Sequence, residues 1–170
     1  MIVLDERAQP SMRETFSALL STSTHVDMAV ANMRLAGIDV RPGEVTALRR
    51  LRLVVGRLDA DALLQTESRP LEQIRRLHTL ASSGVLEVRA VPRFQWTPDF
   101  SVFDRAALIG AHYTELPYPI DGIALTCVVT DPGAMRRCAR RFEEMWELGY
   151  DVLPVVIETL DELLAQPAPA

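Results

Sequence analysis

Two periods of hydrophobic and polar residues run through this chain, and the switches between them mark out its elements. Met12, Phe16, Leu19 and Leu20 fall at helical spacing, and Ser11 with Glu14 forms a capping box after Pro10, which predicts a helix over 11–21 with one buried face. From His25 to Asn32 the period shortens to two. Val26, Met28 and Val30 alternate with Asp27, Ala29 and Ala31, the pattern of a strand with one face on a core. Gly37 ends a short helical piece around Met33 to Ala36, and Pro42-Gly43 reads as a turn or helix start. A short helix is expected over Val45 to Arg50, then a strand from Leu51 to Val55 that Gly56 closes, then a short helix from Ala60 to Gln65.

Pro70 opens a further helix with Leu71, Ile74, Leu77 and Ala81 on one side, and Gly84 stops it. Val85 to Val91 is a third strand. Phe100 to Phe103 and Ala106 to Gly110 predict a hairpin turning at Asp104-Arg105, and Gly122 to Thr130 is a sixth extended run. Residues 92–99 and 115–121 read as loops. Asp131 and Pro132 then stand where an N-cap and a first helical residue belong. Met135, Cys138, Phe142, Met145 and Trp146 form the apolar stripe of that helix, and a last helix is expected over Val155 to Ala165. Strands alternate with helices early and a hairpin follows late. The expected fold is therefore α/β, a mixed β-sheet flanked by helices on both faces, in one domain over 1–165 with a disordered tail at 166–170.

Composition narrows the function classes. The formal net charge of −5 gives no global attraction for nucleic acid, which is not favoured as a partner. The longest apolar runs, such as Ile123 to Val129, are too short for a membrane span, and the N-terminus lacks the pattern of a signal peptide. The expectation is a cytoplasmic protein without a membrane partner. Cys127 and Cys138 have no metal spacing with each other or with His25, His78 and His112, so two small buried thiols are expected, with no metal and no cofactor. All 18 basic residues are arginine. Chemistry that needs a lysine is thereby excluded, including Walker-type phosphate binding and Schiff-base catalysis.

Three stretches resemble the phospholipase D-like family: the helix from Ser11 with the following His25-Val-Asp-Met-Ala-Val-Ala, the segment Phe100 to Tyr113, and Phe142-Glu-Glu-Met-Trp146. The middle one is similar to the hairpin that bears the family signature: a His, one residue, a Lys, four residues, an Asp, and six residues to a Gly-Ser pair. With Gly110 as the motif glycine, the His position falls on Trp96, the Lys on Pro98, the Asp on Phe103 and the Ser on Ala111. A shift by one residue restores only an aspartate, Asp104. The resemblance implies the family's fold without its covalent and electrostatic catalysis. It also implies a homodimer, since one-domain members resemble half of a two-domain enzyme and pair across the motif face. Here that face would present Phe94, Trp96 and Phe103.

The residues that could still form a binding site are Trp96, Asp104, Arg105, His112 and Tyr113, with no catalytic set among them. Each also has a plainer role: Asp104-Arg105 as a hairpin turn, His112 as a hairpin-end histidine, the aromatics as packing. Arg49, Arg50 and Arg52 form one basic cluster and Arg136, Arg137, Arg140 and Arg141 another. Glu143, Glu144 and Glu147 follow the second at ion-pairing spacing, so both are expected to be solvated faces. The leading function is a non-catalytic binding or assembly module that forms a homodimer, with a further protein partner left open; the alternatives are a divergent phosphodiesterase or nuclease using His112 and a regulatory domain that binds a small anion.

Overall fold

Extended segments satisfy their backbone amides only by pairing, and the pairing here makes one sheet. The computed structural model describes residues 2–4, 12–33, 43, 45–58, 71–91, 99–110 and 126–165. In chain order the elements are β1 (Ile2–Leu4), α1 (Met12–Thr22), β2 (His25–Met33), β3 (Arg50–Leu58), α2 (Leu71–Ser82), β4 (Leu86–Ala90), β5 (Phe100–Phe103), β6 (Ala107–Gly110), β7 (Thr126–Val129), α3 (Pro132–Leu148), β8 (Tyr150–Asp151) and α4 (Leu153–Ala165). The sheet order is β1-β7-β6-β5-β2-β3-β4-β8. β2, β3 and β4 are parallel, and every other pairing is antiparallel, so the sheet is mixed, as the element order implies.

Strand alternation divides the core into two layers. Val26, Met28, Leu51, Leu53, Val55, Leu86, Val88, Phe103 and Leu108 point to one face and pack with Leu20 of α1, Leu77 of α2 and Val156 and Leu160 of α4. Ala29, Val54, Val91 and Phe100 point to the other, where Phe142, Met145 and Trp146 of α3 cover them. Of the apolar stripe expected on α3, Phe142, Met145 and Trp146 are buried, and Met135 and Cys138 are half-buried. Asp131 caps α3 by accepting a hydrogen bond from the Ala134 amide at 2.8 Å, with Pro132 in the first turn. Gly84, after α2, holds φ +74°, which only glycine adopts at no cost.

The structure corrects several sequence expectations. Val45 to Arg50 is not a helix. The Leu48 amide closes a turn on the Val45 carbonyl at 3.2 Å, and the Thr24 carbonyl accepts from the amides of Arg49 and Arg50, which draws this segment alongside β2. Gly56 does not end β3, because β2 supplies a partner strand as far as Leu58. Met33 belongs to β2 rather than to a helix. The two edges, β1 and β8, carry too short an alternation to be read from the sequence. Cys127 and Cys138 are free but only half-buried, since each sits at a partly covered position of its element. The segments 34–36, 60–65, 115–121 and 166–170 lie outside the described residues.

Candidate functional site

Of the candidate binding residues, Asp104 and Arg105 are described; Trp96, His112 and Tyr113 lie outside the described residues, as do Phe94, Pro98 and Ala111. Asp104 and Arg105 occupy the β5–β6 turn, both exposed. The Asp104 carboxylate reaches across to the start of β2. Its Oδ2 accepts from the Thr24 amide at 2.8 Å and the Thr24 hydroxyl at 3.0 Å, and its Oδ1 accepts from the His25 amide at 3.3 Å. Partial burial would raise its pKa, but these hydrogen bonds to the anion outweigh that and hold it below the usual aspartate range. Asp104 thus clamps the hairpin to the central strand.

Two of the motif positions, Phe103 and Gly110, are among the described residues: Phe103 directly precedes the turn, and Gly110 lies at the far end of the hairpin. Gly110 holds φ +137° and donates its amide to the Asp99 carbonyl at 2.8 Å, so β6 ends in a conformation that favours glycine. Phe103, at the motif's aspartate position, is only 2% exposed and packs edge-on against Phe16 of α1, with ring centroids 5.6 Å apart. The expectation that Phe103 contributes to an exposed pairing face is therefore corrected. Its parity along β5 turns it into the α1 side of the core.

A charged cluster lies on the opposite face, beneath α3. Strand register sets Asp27 of β2 beside Arg52 of β3. The Arg52 guanidinium is held in a fork, with Nε donating to Asp27 Oδ1 and Nη2 to Asp27 Oδ2, both at 2.7 Å. Its Nη1 also donates to Glu143 Oε2 at 3.0 Å, and Nη2 bonds the other Glu143 oxygen, which ties α3 to the sheet. The Arg52 side chain is 10% exposed and that of Glu143 51%. Phe142 and Trp146 stack on the cation, with ring centroids 4.8 and 5.2 Å from its central carbon. Burial disfavours the Arg52 charge, yet the hydrogen bonds and charges of Asp27 and Glu143 outweigh it and raise its pKa. The Arg52 hydrogen bonds in turn hold Glu143 below the usual glutamate range, against some burial and with help from the charge of Arg50.

Arg89 adds a second link, donating from Nη1 to the Trp146 carbonyl at 2.8 Å with its guanidinium 4.5 Å over the Trp146 ring. Arg50 pairs with Glu87 of β4 at 2.7 Å. The expectation of a solvated Arg49–Arg50–Arg52 cluster thus fails at Arg52, because a polar position on an inner strand lies under α3. The signal was present as one acid and one base, each flanked by buried apolar neighbours. Register was the missing piece. The two described histidines are engaged locally: His25 Nδ1 lies 2.9 Å from the Thr24 hydroxyl, and His78 Nε2 lies 2.9 Å from Asp161, joining α2 to α4.

Among the described residues, no three His, Cys, Asp or Glu side chains come together as a metal ion would require. Nor is any described helix long and apolar enough to cross a membrane. No protein-family model matches the sequence. No curated protein matches it either. Solved structures do. TrmBL2, an archaeal chromatin protein described as showing a novel mode of DNA binding, matches with TM-score 0.60 and 13% identity over 89% of this chain and 53% of its own. This chain therefore spans about half the length of TrmBL2. Nuc from Salmonella typhimurium, a phospholipase D family member, matches with TM-score 0.59 and 15% identity over 88% of this chain and 95% of its own. NucT from Helicobacter pylori matches with TM-score 0.58 and 8% identity over 88% and 97%.

Proposed function

We propose that this chain, whose fold is phospholipase D-like, is a non-catalytic binding or assembly module that works as a homodimer. The observation that carries the non-catalytic part of this reading is Phe103; the homodimer follows from the likeness of one-domain members to half of a two-domain enzyme. Where the motif would place a catalytic carboxylate, the chain has a core phenylalanine packed on Phe16. Restoring an acid there would put an uncompensated charge into an apolar layer. The remaining motif positions, Trp96, Pro98 and Ala111, offer no nucleophile and no cation, and the chain has no lysine to replace one. Asp104, the one acid a shifted alignment would recover, spends its oxygens on Thr24 and His25. The description of TrmBL2 as a chromatin protein accords with a role in binding rather than hydrolysis.

Two measurements test the proposal. Light scattering on the purified chain at micromolar concentration is expected to give twice the 19.0 kDa chain mass; a 19.0 kDa particle overturns the dimer. Incubation with a chromogenic phosphodiester and with DNA, with and without divalent metal, is expected to give no turnover. Turnover that His112→Ala abolishes would replace this reading with the divergent phosphodiesterase.

A further inference from the structure

The outer face of α3 carries a block of positive charge that the fold leaves largely unbalanced. Arg136 and Arg140 make one i,i+4 row and Arg137 and Arg141 a second, so four guanidinium groups share a patch about one turn deep. The acids that follow in sequence do not neutralise it. Glu143 is drawn inward to Arg52. Glu144 serves Arg140 at 3.8 Å and Arg141 at 3.2 Å. Among the described residues no carboxylate forms an ion pair with Arg136 or Arg137, and both are exposed. A side chain at Gly133 would meet Arg137 Nη1 at 3.7 Å and Arg136 Nη2 at 4.0 Å, with Asp131 Oδ1 at 3.2 Å, so glycine leaves room for these groups together. The Asp131 carboxylate is engaged as the helix cap. The face is solvated as the sequence leads one to expect, but among the described residues the expected ion pairs reach Arg140 and Arg141 and not Arg136 or Arg137.

This arrangement costs the helix stability. Like charges at i,i+4 repel by a few tenths of a kcal/mol per pair. Beyond the Asp131 cap the helix has no acid in its first turn, and it has no base in its last, so charge does little more to complement its dipole. A local rule broken without a structural return points to a partner. The block has no exposed large apolar side chain beside it; those of the described residues are Leu71, Leu148, Tyr150 and Val155, none on the first half of α3. Protein partners are held by apolar and aromatic anchors, whereas contacts to a nucleic-acid backbone are made by charged and hydrogen-bonding groups, arginine forks among them, and need no apolar anchor.

We propose that the Arg136, Arg137, Arg140 and Arg141 face of α3 docks the phosphate backbone of duplex nucleic acid. The contacts are charge-assisted hydrogen bonds to phosphate oxygens, which fix position without reading base sequence. The inference is independent of the dimer and of the loss of catalysis, and holds whichever way those tests fall.

The test is fluorescence anisotropy of a labelled random-sequence DNA duplex with the full chain. With four phosphates engaged, affinity is expected to fall about 100-fold between 50 and 200 mM salt. The double variant Arg136→Gln/Arg137→Gln is expected to bind about 10-fold more weakly at 50 mM salt and to lose only about 10-fold over the same salt range. Arg75→Gln, an exposed arginine on α2 across the sheet, should leave both unchanged. No binding at 50 mM salt and micromolar protein overturns the proposal, as does a loss in Arg75→Gln equal to that of the double variant. Competition by poly-glutamate as effective as by duplex, at equal charge, assigns the face to an acidic protein instead. The wild-type salt slope reads the face even where a variant is lost to misfolding.

Discussion

Arg52 is the residue on which the α3 side of the molecule turns. A guanidinium keeps its charge under all ordinary conditions, so its burial is tolerable only while Asp27 and Glu143 flank it and the Phe142 and Trp146 rings lie against it. Arg52→Met is expected to destabilise the fold by about 2–3 kcal/mol by denaturant unfolding. That is below the 3–5 kcal/mol of a wholly buried pair, because the stranded acids are partly exposed. In a double-mutant cycle, Asp27→Asn with Arg52→Met is expected to cost less than the sum of the single variants, since the double variant leaves only the half-exposed Glu143 without its partner. Strict additivity would show that the fork contributes nothing specific. The sequence displayed both residues at polar positions of strands. It could not display that they stand side by side, because a parallel register is fixed by contacts along two whole strands.

At the scale of elements, α3 is the most legible part of the chain and also where the largest correction falls. Its cap, its first-turn proline and its apolar stripe are local signals, and each appears where the sequence placed it. Asp131→Ala is expected to cost about 1 kcal/mol, measured as a shift in the denaturant midpoint. The C-terminal end is set by tertiary contact instead. An added methyl at Gly149 would meet the Arg89 Cβ at 2.9 Å, too close for either to remain in place. The backbone there, at φ −81°, suits any residue. Gly149→Ala is accordingly expected to cost about 1–2 kcal/mol from overpacking; an unchanged midpoint would mean that β4 and the end of α3 move apart freely. The polar face of α3 could not be read in the same way. Helical spacing offered Glu143 to the neighbouring arginines, and Arg52, from another element, takes it.

At the scale of the whole molecule, two carboxyls among the described residues are held below their ordinary range, each at a joint: Asp104 holding the hairpin to β2 and Glu143 holding α3 to β3. Both carboxyls have folded-state pKa values below their ordinary ones, so each adds stability above its unfolded value, about 3.9 for aspartate and 4.3 for glutamate, and loses it as pH falls through the folded value. Stability is expected to be flat with respect to these two groups from pH 7 to about 5 and to fall below about 4. The double variant Asp104→Asn/Glu143→Gln should flatten that acid limb; an unchanged limb would place the sensitive groups elsewhere. The α/β class, the helices α1 to α4, the strands β2 to β7, the hairpin at Asp104-Arg105 and the absence of the family's reactive residues were determined by the sequence alone, because each rests on signals within a few residues of one another. Only the tertiary structure decided that Phe103 faces α1, that Asp104 is a clamp, that Arg52 is buried, and that no carboxylate among the described residues pairs with Arg136 or Arg137. These are matters of register and of which element covers which face, and they arise from pairings between residues as far apart as Arg52 and Glu143.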